Sequence, residues 1–379
     1  MEPKTTYIEQ DSLLSHTVEW LRYPLMLLIV LIHADTPLLT SMPQDGLSAI
    51  FYYITRTIVR VAVPMFFIIS GYFFFRKPDT FSMEAYWIKI KKRLLSILFP
   101  YIFWNYFVWA FQMLVLVVQG HSDWIAPDTF ILSNIVDVVV GWGEGYQGMP
   151  KAFQLWFLRD LMIVCLLSPL LHLLLKNRLR YVLLLFVVLY LMPWPDNWNL
   201  IFMRFPSALL FFSVGAYWGI HNKNIIAIVR TIPIWLSVGL STLLLVVHVW
   251  QCMVGGSCII FFEKLFSIVA VIPTWQIASK IVEHQRLKSV EWISNSNFLL
   301  FVLHPTITHY LLVYPLLGKV SNTLLHFWLV YAAELIIPAF VCVILYAIMT
   351  SIFPRTTALL TGGRNAKNKN VIFAKFLER

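Results

Sequence analysis

The sequence contains few charged residues, and this shortage already limits the class of protein. Asp, Glu, Lys and Arg make up 13% of the 379 residues, against roughly 25% in soluble globular domains. Hydrophobic residues make up 59%, and the mean hydropathy is +0.74. The apolar runs have about the 20-residue length of a membrane-spanning helix. A soluble fold is therefore excluded, and we predict an all-α, polytopic integral membrane protein.

Cysteine is also scarce, with four residues in the chain. Cys165 and Cys342 lie in apolar runs, where packing is their expected role. Cys252 and Cys258 share the short segment QCMVGGSC, where a disulfide forms only if that side of the membrane is oxidising. The sequence leaves their pairing open. Neither a CxxC nor an HExxH spacing occurs, so we predict no metal site and no permanently bound cofactor.

Ten apolar segments predict about ten transmembrane helices. The polar N-terminal residues MEPKTTYIEQDSLL do not resemble a cleaved signal peptide, and none is expected. The predicted organisation is a cytoplasmic N-terminal segment over 1–18, a ten-helix domain over 19–354 and a basic cytoplasmic tail over 355–379. The apolar segments cover residues 20–39, 49–75, 94–118, 153–175, 180–195, 201–220, 232–250, 258–280, 297–317 and 325–353.

Lysine and arginine collect in alternate connections between these segments, and such loops stay in the cytoplasm. The basic connections are 76–93, 176–180, 223–230 and 280–288, together with the C-terminal tail. We therefore expect a multi-pass protein of the cell (inner) membrane with both termini in the cytoplasm. The net charge of +10 is explained by these loops. Membrane lipids are then the expected partner of the basic residues, and a nucleic acid is not expected.

The first span, EWLRYPLMLLIVLIHAD, contains Arg22 near one end and His33 near the other. A helix turns about 100° and rises about 1.5 Å per residue, so the step from Arg22 to His33 is roughly 1100°, close to three full turns. Both side chains then lie on one face, roughly 16 Å apart along the axis. Because an ionisable group inside a bilayer costs about 2.5 to 3.5 kcal/mol or more, this face indicates a ligand site or a substrate path.

Further ionisable residues are predicted in the outer half of the membrane. The second span, ITRTIVRVAVPMFFIISGYFFF, places Arg56 near the outer surface and Arg60 a turn deeper, level with His33. The fourth span begins FQLWFLRDLMIV and brings Arg159 and Asp160 into the same layer. Adjacent helical residues point apart, so no direct pair is expected between these two. For Arg56, the alternative is that its side chain reaches the outer headgroups.

Other polar residues of the spans are harder to place. The ninth span, SNSNFLLFVLHP, starts on the cytoplasmic side and so places His304 roughly 10 Å deep, in the inner half. Glu263, Lys264 and Glu334 fall inside predicted spans, and Arg204 falls at the edge of an outer loop. The sequence assigns none of these four to a site, because their partners depend on which helices pack together.

The motifs of the first, second, fourth and ninth spans together resemble the membrane acyltransferase-3 family. They are the Arg and His separated by ten residues, RVAVPMFFIISGYFF, LWFL and SNSNFLLFVLHP, and they cover nearly the whole chain. The resemblance implies a ten-helix enzyme that takes an acyl group, usually acetyl, from cytoplasmic acyl-CoA and transfers it to a hydroxyl of an extracytoplasmic glycan or related acceptor. Two positions depart from the family pattern: Gln154 replaces a common His, and Phe301 replaces a Tyr.

Within this resemblance, chemistry gives the named residues their expected roles. His33 would take the proton of the acceptor hydroxyl, Arg60 would stabilise the oxyanion, and an arginine fork at Arg22 suits the phosphates of coenzyme A. Trp156 could stack on a sugar or belong to the interfacial aromatic belt. The predicted site comprises catalytic His33, Arg60 and Arg159, donor-binding Arg22, Ser70 and His304, and acceptor-binding Arg56 and Trp156.

The expected partners are acyl-CoA as donor substrate, with acetyl-CoA as the preferred form, and a glycan or lipid-linked saccharide as acceptor. The sequence leaves open whether the protein forms a homo-oligomer, and whether transfer is direct or passes through an acyl-histidine. A transporter or flippase for a glycan or acylated precursor is the alternative function, because the same charges could line a path without covalent chemistry. A receptor or purely structural role is a third reading.

Labelling with a membrane-impermeant thiol reagent in intact cells tests the predicted orientation. After replacement of the four native cysteines, a cysteine at Gly46 or Gly145 should react, and one at Asn177 or Asn365 should not, because only the first two lie outside the cytoplasm. The reverse pattern would place Arg22 on the side that lacks coenzyme A and would contradict the predicted mechanism.

Overall fold

The predicted all-α class is confirmed by a computed structural model of the chain. It describes residues 4–34, 46–76, 81–121, 132–142, 148–177, 179–194, 200–284, 291–316, 319 and 324–363. The described residues form helices and connecting turns, with no strand among them. Gly145, Asn365 and the rest of the predicted tail beyond residue 363 lie outside the described residues.

The helices follow one another with short connections. The first nine described are α1 Lys4–Ile32, α2 Gly46–Ile58, α3 Ala62–Phe75, α4 Met83–Arg93, α5 Phe99–Val118, α6 Leu132–Val140, α7 Trp156–Leu166, α8 Ser168–Asn177 and α9 Leu179–Leu191. The remaining described helices are α10 Leu200–Ile220, α11 Ile225–Val229, α12 Ile234–Val254, α13 Ile259–Glu283, α14 Glu291–Asn295, α15 Asn297–Thr308, α16 Tyr314–Leu316, α17 Leu324–Ile352 and α18 Pro354–Leu360.

Several spans contain local changes of helical winding. A 3-10 turn at Val59–Val61 joins α2 to α3, and another at Phe153–Leu155 leads into α7. Wider π-helical turns occupy Leu94–Leu98 between α4 and α5, and His309–Val313 after α15. Such turns often occur at functional positions, and two of them contain or adjoin residues of the predicted site.

Seven described helical stretches are long and apolar enough to cross a membrane, or eight if the bent pair Phe153–Leu166 and Ser168–Lys176 is one span. These eight correspond to eight of the ten predicted segments. The predicted segments 180–195 and 201–220 appear as α9 and α10, which are not among the eight; α9 offers only the short apolar stretch Tyr181–Leu191. The number ten therefore stays a prediction.

Helix α1 begins at Lys4, well before the predicted first span. Asp11 forms an ion pair with Arg76 at the end of α3, and its Oδ1 accepts a hydrogen bond from Asn224 at 3.5 Å. These contacts fix the N-terminal part of α1 to its neighbours. The described part of the predicted segment 1–18 therefore continues the first spanning helix.

The chain turns back into the bundle after α17. Pro354 begins α18, as suits a residue that lacks a backbone N–H, and the indole Nε1 of Trp104 donates to the Leu360 carbonyl at 3.0 Å. Gly362 has a φ of +74° and approaches the backbone of Ser96 so closely that a Cβ would collide with it. Residues 355–363 of the predicted tail therefore pack against the bundle.

Helices α3 and α10 pack closely because glycine removes side chains from both surfaces. A Cβ on Gly71 would collide with the carbonyl group of Phe212, and a Cβ on Gly215 would collide with that of Ile68. Gly219, four residues further along α10, is crowded by the same neighbouring helix. Lipid offers no hydrophobic drive for association between spans, so close van der Waals packing at small residues has to supply it.

Alanine at Gly215 should therefore destabilise the protein, because the added methyl group must push two backbones apart. We expect a loss of about 1 to 3 kcal/mol, the usual range for overpacking. Gly239→Ala is the matched control, since a Cβ there meets nothing within 4 Å. Thermal unfolding in detergent measures both, and equal midpoints for the two variants would contradict this account of the α3–α10 contact.

Candidate active site

His33 lies at the C-terminal end of α1, where three parts of the chain meet. Its ring packs edge-on against Phe153, with 4.9 Å between the ring centroids, and lies 5.3 Å from the ring of His304 on α15. The His33 side chain is half-buried, and within the described part of the chain its ring nitrogens have no hydrogen-bond partner. His33 therefore has the free ring nitrogens that a base or nucleophile requires.

His304 has a defined tautomer. Its Nδ1 lies 2.9 Å from the Leu300 carbonyl oxygen and 3.0 Å from that of Phe301. Carbonyl oxygens only accept, so Nδ1 carries the proton and donates, while Nε2 keeps a lone pair. The side chain is buried, and Nε2 has no hydrogen-bond partner among the described residues. Nε2 of His304 is therefore a buried acceptor without a described donor, and it lies on a ring beside the half-buried His33.

The predicted depth of His304 is wrong. The sequence placed it in the inner half of the membrane and His33 in the outer half, yet the two rings are neighbours. The number of residues from the start of an apolar run gives depth only for a helix without tilt or vertical offset. Packing against neighbouring helices decides both tilt and offset. His304 accordingly lies beside His33, and its donor-binding role stays a prediction.

A cavity of about 670 Å³ reaches His33. Its walls come from the C-terminal half of α5, the segment before α7 and the end of α15 with its π-helical turn. Burial lowers the pKa of the Lys151 ammonium group in this wall. Polar residues that line the cavity include Gln112, Gln119, Lys151, Gln154, Thr306 and Tyr310. The cavity is thus large enough for a ligand and polar enough to bind hydroxyl groups.

Arg56 contacts the end of α1. Its Nη1 donates to the carbonyl oxygen of Ile32, one of the helix-terminal carbonyls that have no partner within the helix. A cation at this end also interacts favourably with the helix dipole. This guanidinium nitrogen is directed to backbone, and the acceptor-binding role of Arg56 stays a prediction. Arg56 therefore positions the helix end that carries His33.

Arg60 lies in the 3-10 turn between α2 and α3, and its Nε is 3.3 Å from Glu263 Oε1 on α13. Glu263, which the sequence could not place, is thus its counterion. One turn earlier, Thr57 Oγ1 is 2.7 Å from Nδ1 of the buried His248 on α12. The helix that carries Arg60 is held by polar contacts on two neighbouring spans. Its predicted role towards the oxyanion stays a prediction.

Arg159 and Asp160 form a direct pair, contrary to the expectation from their adjacent positions. Arg159 Nε lies 3.1 Å from Asp160 Oδ1, and its Nη1 donates to the Gly148 carbonyl at 2.6 Å. The Cβ atoms of Arg159 and Asp160 leave the helix in different directions. The arginine side chain is nevertheless long enough to fold back onto the Asp160 carboxylate. Arg159 is therefore bound to the preceding loop and to its own neighbour, and its catalytic role stays a prediction.

Trp156 is buried, and the guanidinium carbon of Arg204 lies 5.1 Å from its ring centroid. The ring thus lies inside the bundle beneath a cation, and the acceptor contact of Trp156 stays a prediction. The sequence also missed Arg204, which is on α10 and inside the bundle rather than in a loop. The only signal was an arginine within the apolar run LIFMRFPSALLFF.

Of the three predicted donor residues, His304 lies beside His33, whereas Arg22 and Ser70 do not. Arg22 is exposed on α1 and Ser70 is half-buried on α3, and neither has a described contact with the histidine pair. Their roles remain predictions.

The pairing of Cys252 and Cys258, which the sequence leaves open, is not formed in the structure. Both residues are free thiols, and Cys252 Sγ lies 3.6 Å from Nε2 of His248.

Residues 15–352 match the model of the acyltransferase-3 family, described as an acyltransferase domain. The chain belongs to this family. It is therefore an acyltransferase and a membrane protein. No solved structure matches it significantly.

A curated relative of this acyltransferase is the succinoglycan biosynthesis protein ExoH of Rhizobium meliloti (strain 1021). The two sequences are 26% identical over 324 residues, which is 84% of this chain and 83% of the relative. The similarity therefore extends over most of both chains.

The ion pair between Arg60 and Glu263 should matter more for stability than an exposed pair on the same helix. Its side chains are 33% and 29% exposed, against 35% and 46% for Arg230 and Glu283 at the end of α13. Replacing Glu263 by Leu leaves a charge inside the bundle, so the double variant with Arg60→Leu should be more stable than Glu263→Leu alone.

A double-mutant cycle by thermal unfolding in detergent measures this coupling. We expect about 1 to 3 kcal/mol for Arg60–Glu263 and less than about 1 kcal/mol for the Arg230–Glu283 control. Equal coupling at both sites would show that Glu263 is not a required counterion.

Proposed function

We propose that this acyltransferase is an O-acyltransferase that moves an acyl group, with acetyl as the expected group, from cytoplasmic acyl-CoA to a hydroxyl of an extracytoplasmic glycan or lipid-linked saccharide. The family supports the acyl transfer, and the name of the relative supports a polysaccharide as the acceptor. The observation that carries the proposal is the cavity that reaches the unpaired His33 ring.

The cavity suits the acceptor. It lies at the end of the bundle formed by the last turns of α5 and α15 and the start of α7, which the distribution of basic loops predicts to be extracytoplasmic. An acceptor that enters there meets amide, hydroxyl and ammonium groups before it reaches the histidine. Such polar groups orient a saccharide by hydrogen bonds, while the apolar remainder of the wall contacts its carbon skeleton.

His33 would act as the base of the transfer. A saccharide hydroxyl is a weak nucleophile at neutral pH, and a positioned base contributes about 10² to 10⁴ in rate. His33 takes the hydroxyl proton as the oxygen attacks the thioester carbonyl carbon. The intermediate then expels the coenzyme A thiolate, which takes the proton from His33 and leaves as a thiol. The ring returns to its starting state.

His304 would support this cycle as a positioning residue. When His33 gains a proton, both of its ring nitrogens become donors, and one can turn to the free Nε2 of His304, whose ring is 5.3 Å away. A buried acceptor in a water-poor site stabilises the imidazolium more than one in water would. We propose this role in place of the donor contact that the sequence suggested.

The donor would approach from the opposite side of the membrane. Arg22, roughly 16 Å below His33 along α1, is exposed and suits a phosphate of coenzyme A because a guanidinium binds phosphate oxygens in a bidentate manner. Ser70 is a second proposed donor contact. This arrangement requires the inner membrane, with both termini in the cytoplasm, as the distribution of basic loops predicts.

Acetyl transfer can be measured with membrane vesicles from the cells that naturally make this protein. The vesicles receive acetyl-CoA labelled in its acetyl group, and vesicles from cells that lack the gene serve as the control. Label in the saccharide fraction that depends on the gene supports the proposal. A flippase would leave the thioester intact, and that result would refute acyl transfer from acetyl-CoA.

Replacing His33 by Gln should reduce transfer by about 10² to 10⁴, the contribution of a general base, while the affinity for coenzyme A stays unchanged. His284→Gln is the matched control, because that histidine is exposed at the end of α13 and contacts only its own helix. Transfer by His33→Gln at more than about a tenth of the wild-type rate would refute the role of His33 as base.

A further inference from the structure

Arg204 differs from the other arginines of the site in its hydrogen bonding. Arg56 donates to a backbone carbonyl, Arg60 faces Glu263, and Arg159 donates to Asp160 and to a second backbone carbonyl. No hydrogen-bond acceptor for Arg204 is found in the described ranges of the chain. Arg204, with its five N–H donors, therefore has neither an acceptor like those of Arg56 and Arg159 nor a close counterion like that of Arg60, whose own Nε is buried without a hydrogen bond.

Packing holds Arg204 in place without consuming its donors. The guanidinium lies over the ring of Trp156, with 5.1 Å from its carbon to the ring centroid, a cation–π contact. Asp160, one turn along α7, is close enough to interact electrostatically with Arg204, and its Oδ2 is buried without a described hydrogen-bond partner. Asp160 thus compensates part of the Arg204 charge without a described hydrogen bond to it. The N–H donors of Arg204 remain available to another anion.

Arg204 is also connected to His33 through the fold. The link between them is the turn that enters α7: Phe153 packs on His33, and Trp156, three residues later, packs on Arg204. Residues three apart in a helical turn share a face, so this turn presents the histidine and the arginine to one region.

We propose that Arg204 binds the oxyanion of the acyl-transfer intermediate and is therefore a catalytic residue of this enzyme. The proposal rests on the function proposed above. Attack of the hydroxyl oxygen forms one C–O bond and moves the carbonyl π electrons onto oxygen, which becomes negative. Arg204 donates to that oxygen until the C–S bond breaks and the carbonyl reforms. The arginine gains and loses no proton.

This assignment differs from the one that the sequence suggested. Arg60 already has a counterion, since its Nε lies 3.3 Å from Glu263 Oε1. Donors that are fixed in place and free of other acceptors stabilise an oxyanion best, because they need no rearrangement when charge develops. Arg204 meets both conditions, because its guanidinium packs on the Trp156 ring and no acceptor for it is found among the described residues.

The test uses the same vesicle assay in cells that lack the native gene and carry variants of the full chain. Arg204→Met keeps most of the side-chain volume and should lower the maximal rate by about 10² to 10³, the usual cost of removing an oxyanion donor. Arg204→Lys should retain more activity than Met but less than the wild type. Lys264→Met is the matched control: it removes a cation on α13 that is bonded to the Met192 carbonyl, and it should transfer normally.

Chemical rescue separates a catalytic role from a structural one. Arg204→Ala should recover transfer several-fold when millimolar guanidinium is added, and the affinity for coenzyme A should stay unchanged in all variants. Near-normal transfer by Arg204→Met, an equal loss in Lys264→Met, or no rescue of a folded Arg204→Ala would overturn the proposal. Absence of transfer by the wild type would instead refute the proposed function, before any variant is compared.

Discussion

The site depends on one constraint: a charge inside a membrane needs a polar partner. Three arginines near the site satisfy it differently. Arg56 uses the free carbonyl at the end of α1, Arg60 uses Glu263, and Arg159 uses Asp160 and the Gly148 carbonyl. The partners of Arg56 and Arg60 belong to other spans and Gly148 belongs to a loop, so these contacts also fix one chain segment against another. The ionisable residues thereby build the bundle as well as the site.

The turn at 153–156 connects the parts of the site. Phe153 packs on His33, Gln154 donates to the Val302 carbonyl on α15, and Trp156 packs beneath Arg204. Gln154 thus joins two spans by a hydrogen bond from its Nε2, and it also lines the cavity. Helix α10, which carries Arg204, packs closely against α3 because glycine brings the two backbones together. A short non-regular segment can thus set the geometry of base and cation.

Much of the fold and the first half of the site could be predicted from the sequence. Hydropathy located eight of the spans, and the helical period placed Arg22 and His33 on one face. The errors concern relations between helices. His304 was assigned the wrong depth because tilt depends on packing, and the pair of Arg159 with Asp160 was missed because a Cβ direction does not describe a long side chain. Trp156 looked like an interfacial residue because its contact, Arg204, is 48 positions away in the chain.

By itself, the sequence determined the class of protein and the location of eight of the spans, and it singled out His33 as the candidate base. Apolar runs, basic loops and the spacing of polar residues are local properties, and the bilayer acts on them directly. Only the tertiary structure decided which acid neutralises which arginine, which histidine stands beside His33 and which arginine keeps its donors free. The physical reason is that these pairings form by contacts between spans. In lipid, such contacts depend on shape complementarity and hydrogen bonding, and the hydrophobicity pattern of a sequence does not report either.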